Sequence, residues 1–412
     1  MQFDLVVFGA TSFVGKIVCR YLLERYDLGK GDHQLHWAIA ARSKRKLADL
    51  IQELAADGLN TKGLEYIVAE SGDEQSLKAM CEQAKVVIST VGPYALYGAL
   101  LVKVCAELGS DYCDLTGEPQ WVRKMLDAHE ATAKASGARI VNCSGFDSIP
   151  SDMGVWFLQQ QSRKRFKEPC ESVRMRVKAI KGGASGGTIA SLMNAVKEAS
   201  TNPKLRQQFL DPYSLCAAEF APKVKQPNVL FAQYDKDFQV WVAPFVMAAV
   251  NTRVVMRSHS LLNGLYGKSF TYEEAMVTGK GPVGRFVAMQ YALGLGGFMA
   301  AAAIRPSRWV LSKLLPAPGE GPSKKAQESG FFDLRFVGYT ASGNMIKTKV
   351  TGDRDPGYGS TAKMLSETAL CLLESKSTGA AKSGFLTPAT ALGDALLERL
   401  VTNAGLRFEV LD

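Results

Sequence analysis

Residues Asp4–Gly15 read DLVVFGATSFVG: an apolar run stops at Gly9, and a second glycine, Gly15, closes the stretch. A turn that carries a dinucleotide must bring bare backbone N–H groups close to a pyrophosphate at the start of a helix. Gly9 ends the run where a side chain would obstruct such a turn. Gly15 falls in the first helical turn, where close helix–strand packing excludes a Cβ. The spacing Gly9-x-x-Ser12-x-x-Gly15 fits the G-x-x-G-x-x-G variant, with Ser12 in the place of the middle glycine. The Ser12 hydroxyl suits either an N-cap or a phosphate oxygen. Thr11, Phe13 and Val14 complete the expected cradle. The context supports the motif, because an amino-terminal strand precedes it and Val14, Ile17, Val18, Tyr21 and Leu22 follow at helical spacing.

Outward from this turn, strand-like runs at Phe3–Gly9, Leu35–Ala41, Leu64–Ala69, Val86–Thr90, Asp111–Leu115 and Arg139–Cys143 alternate with helical stretches such as Arg45–Asp57. Helices of that length make right-handed parallel crossovers, so the class is α/β with a doubly wound parallel sheet and ligands at the carboxyl ends of its strands. Past Pro150 the pattern becomes α+β. Strands are expected at Ser172–Lys181, Phe238–Val242, Val250–Met256 and Phe331–Tyr339, with a helix near Gly187–Ala199. Ser360–Glu374 is an amphipathic helix that can return to the first domain. The domain expectation is therefore 1–150 for the nucleotide, 151–350 for an inserted substrate and dimerisation domain, and 351–412 for the returning helices.

Composition bounds the partners. The 412 residues exceed one ordinary core, and 47% hydrophobic with 22% charged residues is typical of a soluble globular protein. The net charge of +9 permits phosphates, acidic substrates or an anionic membrane. Nucleic acid is not expected, because no compact Lys/Arg block with interleaved aromatics occurs. Eight cysteines without a CxxC pair, and no signal peptide, read as reduced thiols in the cytoplasm. His33, His36, His129 and His259 lack ligand spacing, so no metal is expected.

The second strand selects the cofactor. NAD sites place a carboxylate at its end to hold the ribose diol. Here the strand ends Ile39-Ala40-Ala41-Arg42-Ser43-Lys44. Arg42 can stack on adenine and bind a 2′-phosphate, with Ser43 and Lys44 adding a hydroxyl and a second cation, so the expected cofactor is NADP(H). The fourth strand ends Ser89-Thr90-Val91-Gly92-Pro93-Tyr94, followed by Tyr97-Gly98. Thr90, Val91, Gly92 and Pro93 are expected beside the nicotinamide ribose, and the Tyr94 and Tyr97 phenols are candidate donors to a substrate oxygen. Asp114, Thr116 and Glu118 follow the fifth strand, and Asp147 and Ser148 the sixth. Turn chemistry accounts for all five, while Asp147 and Ser148 also qualify as catalytic candidates. The Gly-rich stretch 181–188 can present N–H groups to a carbonyl or serve as a connection.

Residues 145–154, GFDSIPSDMG, resemble the signature of saccharopine dehydrogenase-like oxidoreductases. GATSFVG at 9–15, STVGPYALYG at 89–98, DLTGE at 114–118, GEGPS at 319–323 and DRDPGYGSTAKM at 353–364 agree with it. Within that family the chain is similar to the branch of trans-acting enoyl reductases of mycobacterial complex-lipid synthesis and of animal lipid-droplet-associated homologues. The resemblance implies a Rossmann domain with an inserted α+β domain, and an NADPH-dependent reductase of a C=C bond in a small-molecule or carrier-bound lipid or polyketide acyl substrate. Two rival activities are a saccharopine or other amino-acid dehydrogenase, which needs an arginine pair to clamp a dicarboxylate where the sequence shows no evident pair, only scattered arginines such as Arg174 and Arg176, and a non-catalytic NADP-binding protein on lipid surfaces.

Phe286–Ile304, FVAMQYALGLGGFMAAAAI, carries no charge over a length that can cross a bilayer. Its glycines, alanines and Gln290 weaken it as a span, and Lys280, Arg285, Arg305, Arg308 and Lys313 flank it. Peripheral membrane contact is the preferred reading, ahead of a buried helix or homodimer interface.

Overall fold

The computed structural model describes residues 1–26, 28, 34–183, 186–217, 219–221, 224–314, 321–377 and 382–412. His33, Ala184 and Ser185 of the Gly-rich stretch, and Gly319 and Glu320 of GEGPS, lie outside the described residues. The apolar runs of the first third form β1 (Phe3–Phe8), β2 (Trp37–Ala41), β3 (Glu65–Val68), β4 (Ala84–Ser89), β5 (Asp111–Asp114) and β6 (Arg139–Val141). The second half adds β7 (Cys170–Lys181), β8 (Gln233–Asp235), β9 (Val240–Pro244), β10 (Thr271–Gly279), β11 (Phe331–Thr340), β12 (Met345–Gly352), β13 (Gly384–Leu386) and β14 (Leu406–Leu411).

The first sheet has the order β13-β6-β5-β4-β1-β2-β3 and is parallel at each pairing. Val7 lies beside Ile39 on one neighbour and Ile88 on the other. The continuous apolar sequences LVVF, WAIAA and VVI suit strands covered on both faces, and their side chains are buried. The strand order reverses between β1 and β4, which places the ligand-binding crevice at the carboxyl ends of those strands. This is the α/β doubly wound fold expected from the alternation.

The second sheet runs β14-β12-β11-β7-β10-β9-β8 and is antiparallel except where β10 pairs with β7. Strand β12 alternates, burying Ile346, Thr348 and Val350. Helix Ile149–Phe166 approaches this sheet closely: a Cβ on Gly154 would lie 2.4 Å from Phe336 Cζ.

The expected strand Val250–Met256 is instead part of helix Ala248–Leu261. That helix buries Asn251, Arg253, Ser258 and His259 along with its valines, so its apolar run shows no amphipathic period. A short buried run of this kind reads alike as strand or helix. Phe238 and Gln239 precede β9, with Gln239 at φ 55° in the turn.

Two compact units result. One holds Met1–Phe146 and Gly357–Ala404 together with Gly321, and the other holds the remaining intervening residues with Gly405–Asp412. Thus helices Thr361–Ser377 and Pro388–Thr402 and strand β13 belong with the first sheet, and β14 with the second. Glu367 joins helix Thr361–Ser377 to the first helix of the fold, Phe13–Arg25. Its buried carboxylate accepts from Tyr21 OH (2.6 Å), Tyr26 OH (2.7 Å), Arg399 Nε (2.9 Å) and Asn403 Nδ2 (3.2 Å). Burial, reinforced by the Glu367 charge, drives the Tyr21 phenol far above its ordinary range. Glu367→Ala would strand these donors, and urea unfolding is expected to lose about 3–5 kcal/mol.

Candidate cofactor site

Helix Phe13–Arg25 begins one turn after β1, and the turn is built on the Gly9 carbonyl. That oxygen accepts from Ser12 N (2.8 Å) and Thr90 Oγ1 (2.9 Å). Gly9 has φ +86°, and a Cβ there would lie 2.7 Å from both Thr90 Oγ1 and Val91 Cγ2. A Cβ on Gly15 would lie 2.2 Å from the Gly9 oxygen, so the helix reaches this distance from the strand only with glycine. Of the two roles open to Ser12, the structure takes the cap. Its Oγ accepts from Gly15 N (2.9 Å) and lies 3.0 Å from Thr90 Oγ1. Thr11 and Val14 are partly exposed around the turn. The Phe13 ring packs edge-on against Tyr358 at 5.0 Å and covers Gly321, so it supports the turn from the side.

Strand β2 anchors the same turn, since Gly9 N (2.8 Å) and Ala10 N (3.2 Å) donate to Ala40 O. After Ala41 the chain leaves the sheet at exposed Arg42, and Ser43 caps helix Lys44–Ala56 by accepting from Lys46 N (3.3 Å). Neither this helix nor Phe13–Arg25 has an acid in its first turn. Among the described residues, no carboxylate pairs with Arg42, Lys44 or Lys46. Two helix N-termini and unneutralised cations therefore converge on the carboxyl ends of β1 and β2, which attracts phosphate.

At the end of β4, Thr90 N donates to Phe8 O (3.0 Å), and Gly92-Pro93 forms a cis peptide that leads into the short helix Tyr94–Tyr97. Glu118 holds this helix: its two buried carboxylate oxygens accept from Tyr94 N (2.9 Å) and Ala95 N (3.0 Å). Trp121 packs tightly behind Gly98, where a Cβ would lie 2.6 Å from its ring.

The saccharopine dehydrogenase NADP-binding domain matches residues 5–141. A trans-acting enoyl reductase of Mycobacterium tuberculosis is 35% identical over 413 residues, covering 97% of this chain and 96% of its own. The Mycobacterium leprae protein of that name is 34% identical at the same coverages. The chain belongs to this family. Among solved structures, apo saccharopine dehydrogenase (L-Glu forming) from Saccharomyces cerevisiae shares the fold, with 14% identity, full coverage of both chains and a TM-score of 0.54. Homospermidine synthase from Legionella pneumophila in complex with NAD does so at 10% identity and 0.52, covering 100% of this chain and 92% of that one.

The residues present fit NADP(H). Gly9 and Gly15 keep open a cradle that a Cβ would fill, and the end of β2 presents the exposed cation Arg42, with no carboxylate paired to it among the described residues. In this member of the trans-acting enoyl reductase family the proton-donor candidates separate clearly. Tyr94 is buried, and its hydroxyl donates to Ser89 O (2.9 Å), so its phenol braces the loop. Tyr97 is 47% exposed at the same end of the sheet. Ser148 is buried, and its Oγ donates to Asn251 Oδ1 (3.1 Å); Asn251 in turn donates to Glu274 (2.9 Å). Asp147 keeps partial exposure as a residue, yet burial of its carboxyl pushes it up to about 7. Asp114 is a joint between strands: it accepts from Tyr112 OH, Thr116 N, Asn142 Nδ2 and Cys143 N, while burial pushes it up to about 6.

Sequence reasoning treated Glu118 as turn chemistry and passed over Trp121. The one signal for both was an acid in a loop, DLTGEPQW, that leads straight into an apolar helix. Arg174 and Arg176 do not form a free clamp. Arg176 is buried between Asp235 and Glu273, each at 2.5 Å, and Arg174 pairs with Asp237 at 2.6 Å.

Arg42→Glu is expected to weaken NADPH binding by roughly tenfold to a hundredfold, since a charge-assisted phosphate contact is worth about 1.5–3 kcal/mol. NADH binding should hold or improve. Titration of the quenched protein fluorescence with each cofactor reads both, and an equal loss for the two would mean that Arg42 supports the fold.

Proposed function

We propose that the protein is an NADPH-dependent reductase of the C=C bond in an enoyl thioester of a lipid or polyketide chain, acting at a lipid surface in the cytoplasm. The observation that carries this reading is the carboxylate-free end of β2 at Arg42, inside a chain related along nearly its whole length to trans-acting enoyl reductases. Bound NADPH supplies a hydride to the β-carbon of the enoyl group. The protein must then hold the thioester carbonyl, whose oxygen gains negative charge, and deliver a proton to the α-carbon.

Tyr97 suits the first task. It lies on the helix that follows β4, which Glu118 fixes through Tyr94 N and Ala95 N, and its hydroxyl can donate to the carbonyl oxygen. Its neighbour Leu96 is also exposed and offers apolar surface to an acyl chain. The neutralised Arg174 and Arg176 count against the amino-acid dehydrogenase reading, as both already serve carboxylates of their own unit.

Stopped-flow oxidation of NADPH with enoyl thioesters of increasing chain length tests the activity; NADPH binding without turnover across that panel would favour the non-catalytic reading. Tyr97→Phe should lower kcat by about tenfold to a hundredfold.

The buried Asp147 carboxyl ties stability to pH. The folded state raises this carboxyl above its ordinary value, so the protonated form favours folding. That contribution is present at low pH and disappears between about pH 4 and 7. Asp147→Asn should flatten the decline and be more stable than wild type above neutrality, as read by thermal melts across that window.

A further inference from the structure

We infer that helices Gly281–Ala303 and Arg305–Leu314 form a docking surface for an anionic lipid bilayer, lying on the membrane and not spanning it. The first helix is held to its own sheet along one narrow stripe. Gly284, Ala288, Ala292 and Ala302 are its buried residues. Thr278 Oγ1 donates at 2.9 Å to Gly284 O and to Trp241 O, and a Cβ on Gly284 would lie 2.4 Å from Gly279. Arg285 rests over the Trp241 ring at 5.4 Å. A helix anchored in this way cannot cross a bilayer without leaving its sheet.

Much of the remaining circumference is exposed and apolar, with Met289, Leu295 and Phe298 half-buried. Phe286 is 60% and Leu293 63% exposed, and beside them Val283 and Val287 are open. On the next helix Trp309 is 66% and Leu314 76% exposed, with Arg305 and Lys313 also at the surface. Monomeric soluble proteins rarely leave so continuous an apolar surface uncovered.

Charge identifies the occupant. No Asp or Glu occurs between Glu274 and Glu320, while Lys280, Arg285, Arg305, Arg308 and Lys313 all fall there. None of these cations has a carboxylate partner among the described residues. Two copies meeting through this face would bring like charges together, which is costly. An anionic bilayer satisfies both features, because apolar side chains enter the acyl boundary, Trp stays at the headgroups and the cations meet phosphates. Such a surface gives the proposed reductase access to acyl chains and rests on that reading for its purpose, while its residues lie outside the cofactor unit.

Co-sedimentation with phosphatidylcholine–phosphatidylglycerol vesicles, compared with phosphatidylcholine alone, tests the surface. Wild type should pellet with the anionic vesicles at least tenfold more strongly and be released by high salt. Tryptophan emission should shift to the blue on binding, and Trp309→Phe should abolish the shift. The double variant Arg305→Gln, Lys313→Gln should bind at least tenfold more weakly while still binding NADPH. Phe286→Ser with Leu293→Ser should weaken binding to anionic vesicles. Protein that binds NADPH yet stays in the supernatant with anionic vesicles would overturn the proposal. So would a dimer by light scattering that Phe286→Ser converts to monomer without any vesicle binding. Vesicle binding without NADPH turnover would leave the docking surface in place and remove only the reductase reading.

Discussion

The cofactor unit depends on how closely a helix can approach the carbonyl of Gly9. Three groups meet at that oxygen: Ser12 N and the bare Cα of Gly15 from the start of the first helix, and Thr90 Oγ1 from the end of β4. Each contact is short enough that its neighbours have little freedom. Ser12 must turn its hydroxyl to the helix and to Thr90. The helix N-terminus is thereby aimed across the point where the strand order reverses, which is where an open parallel sheet offers a crevice. Fold and binding geometry share one constraint here, so a side chain added at Gly9 or Gly15 disturbs both.

The treatment of charge differs between regions. In the second sheet Arg174 and Arg176 lie within 2.6 Å of acids on neighbouring segments, which satisfies them and leaves nothing for a ligand. At the end of β2 the opposite holds, as cations stand at a helix N-terminus without a carboxylate. Buried arginines without partners would be costly, whereas exposed ones can wait for an anion. The difference separates arginines satisfied inside the fold from one left open to an anion more reliably than residue type does.

The nucleotide unit was legible because its signals are local. Continuous apolar runs, two glycines at fixed spacing and Arg42 at a strand end each carry meaning within a dozen residues. The second unit was less so. Val250–Met256 reads as a strand because its polar residues, Asn251 and Arg253, are buried in the protein and hide the helical period. Strands β10 and β12 carry Glu273, Glu274, Lys347 and Lys349 among their apolar residues, and β10 pairs with β7, which lies far away in the chain. At the site, residue types suggested Tyr94 and Tyr97 equally. Only packing distinguishes them, since the fold aims the Tyr94 hydroxyl back at Ser89 and leaves Tyr97 outward. The role of Glu118 depends on a contact across more than twenty positions and was hidden for the same reason.

Strand β13 and helix Thr361–Ser377 complete a sheet whose other six strands are made before residue 142. During synthesis, then, a ribosome releases most of a nucleotide-binding sheet long before it delivers the pieces that cover it. Until they emerge, the free edge of β6 can pair with any strand nearby, and Asp111 with Arg139 lacks the Leu372 carbonyl and Ser375 hydroxyl that complete its buried pair. The second unit is translated in that interval. Nascent chains of this architecture therefore spend an extended period with an open sheet edge, the stage at which strand pairing with a neighbouring chain competes with folding.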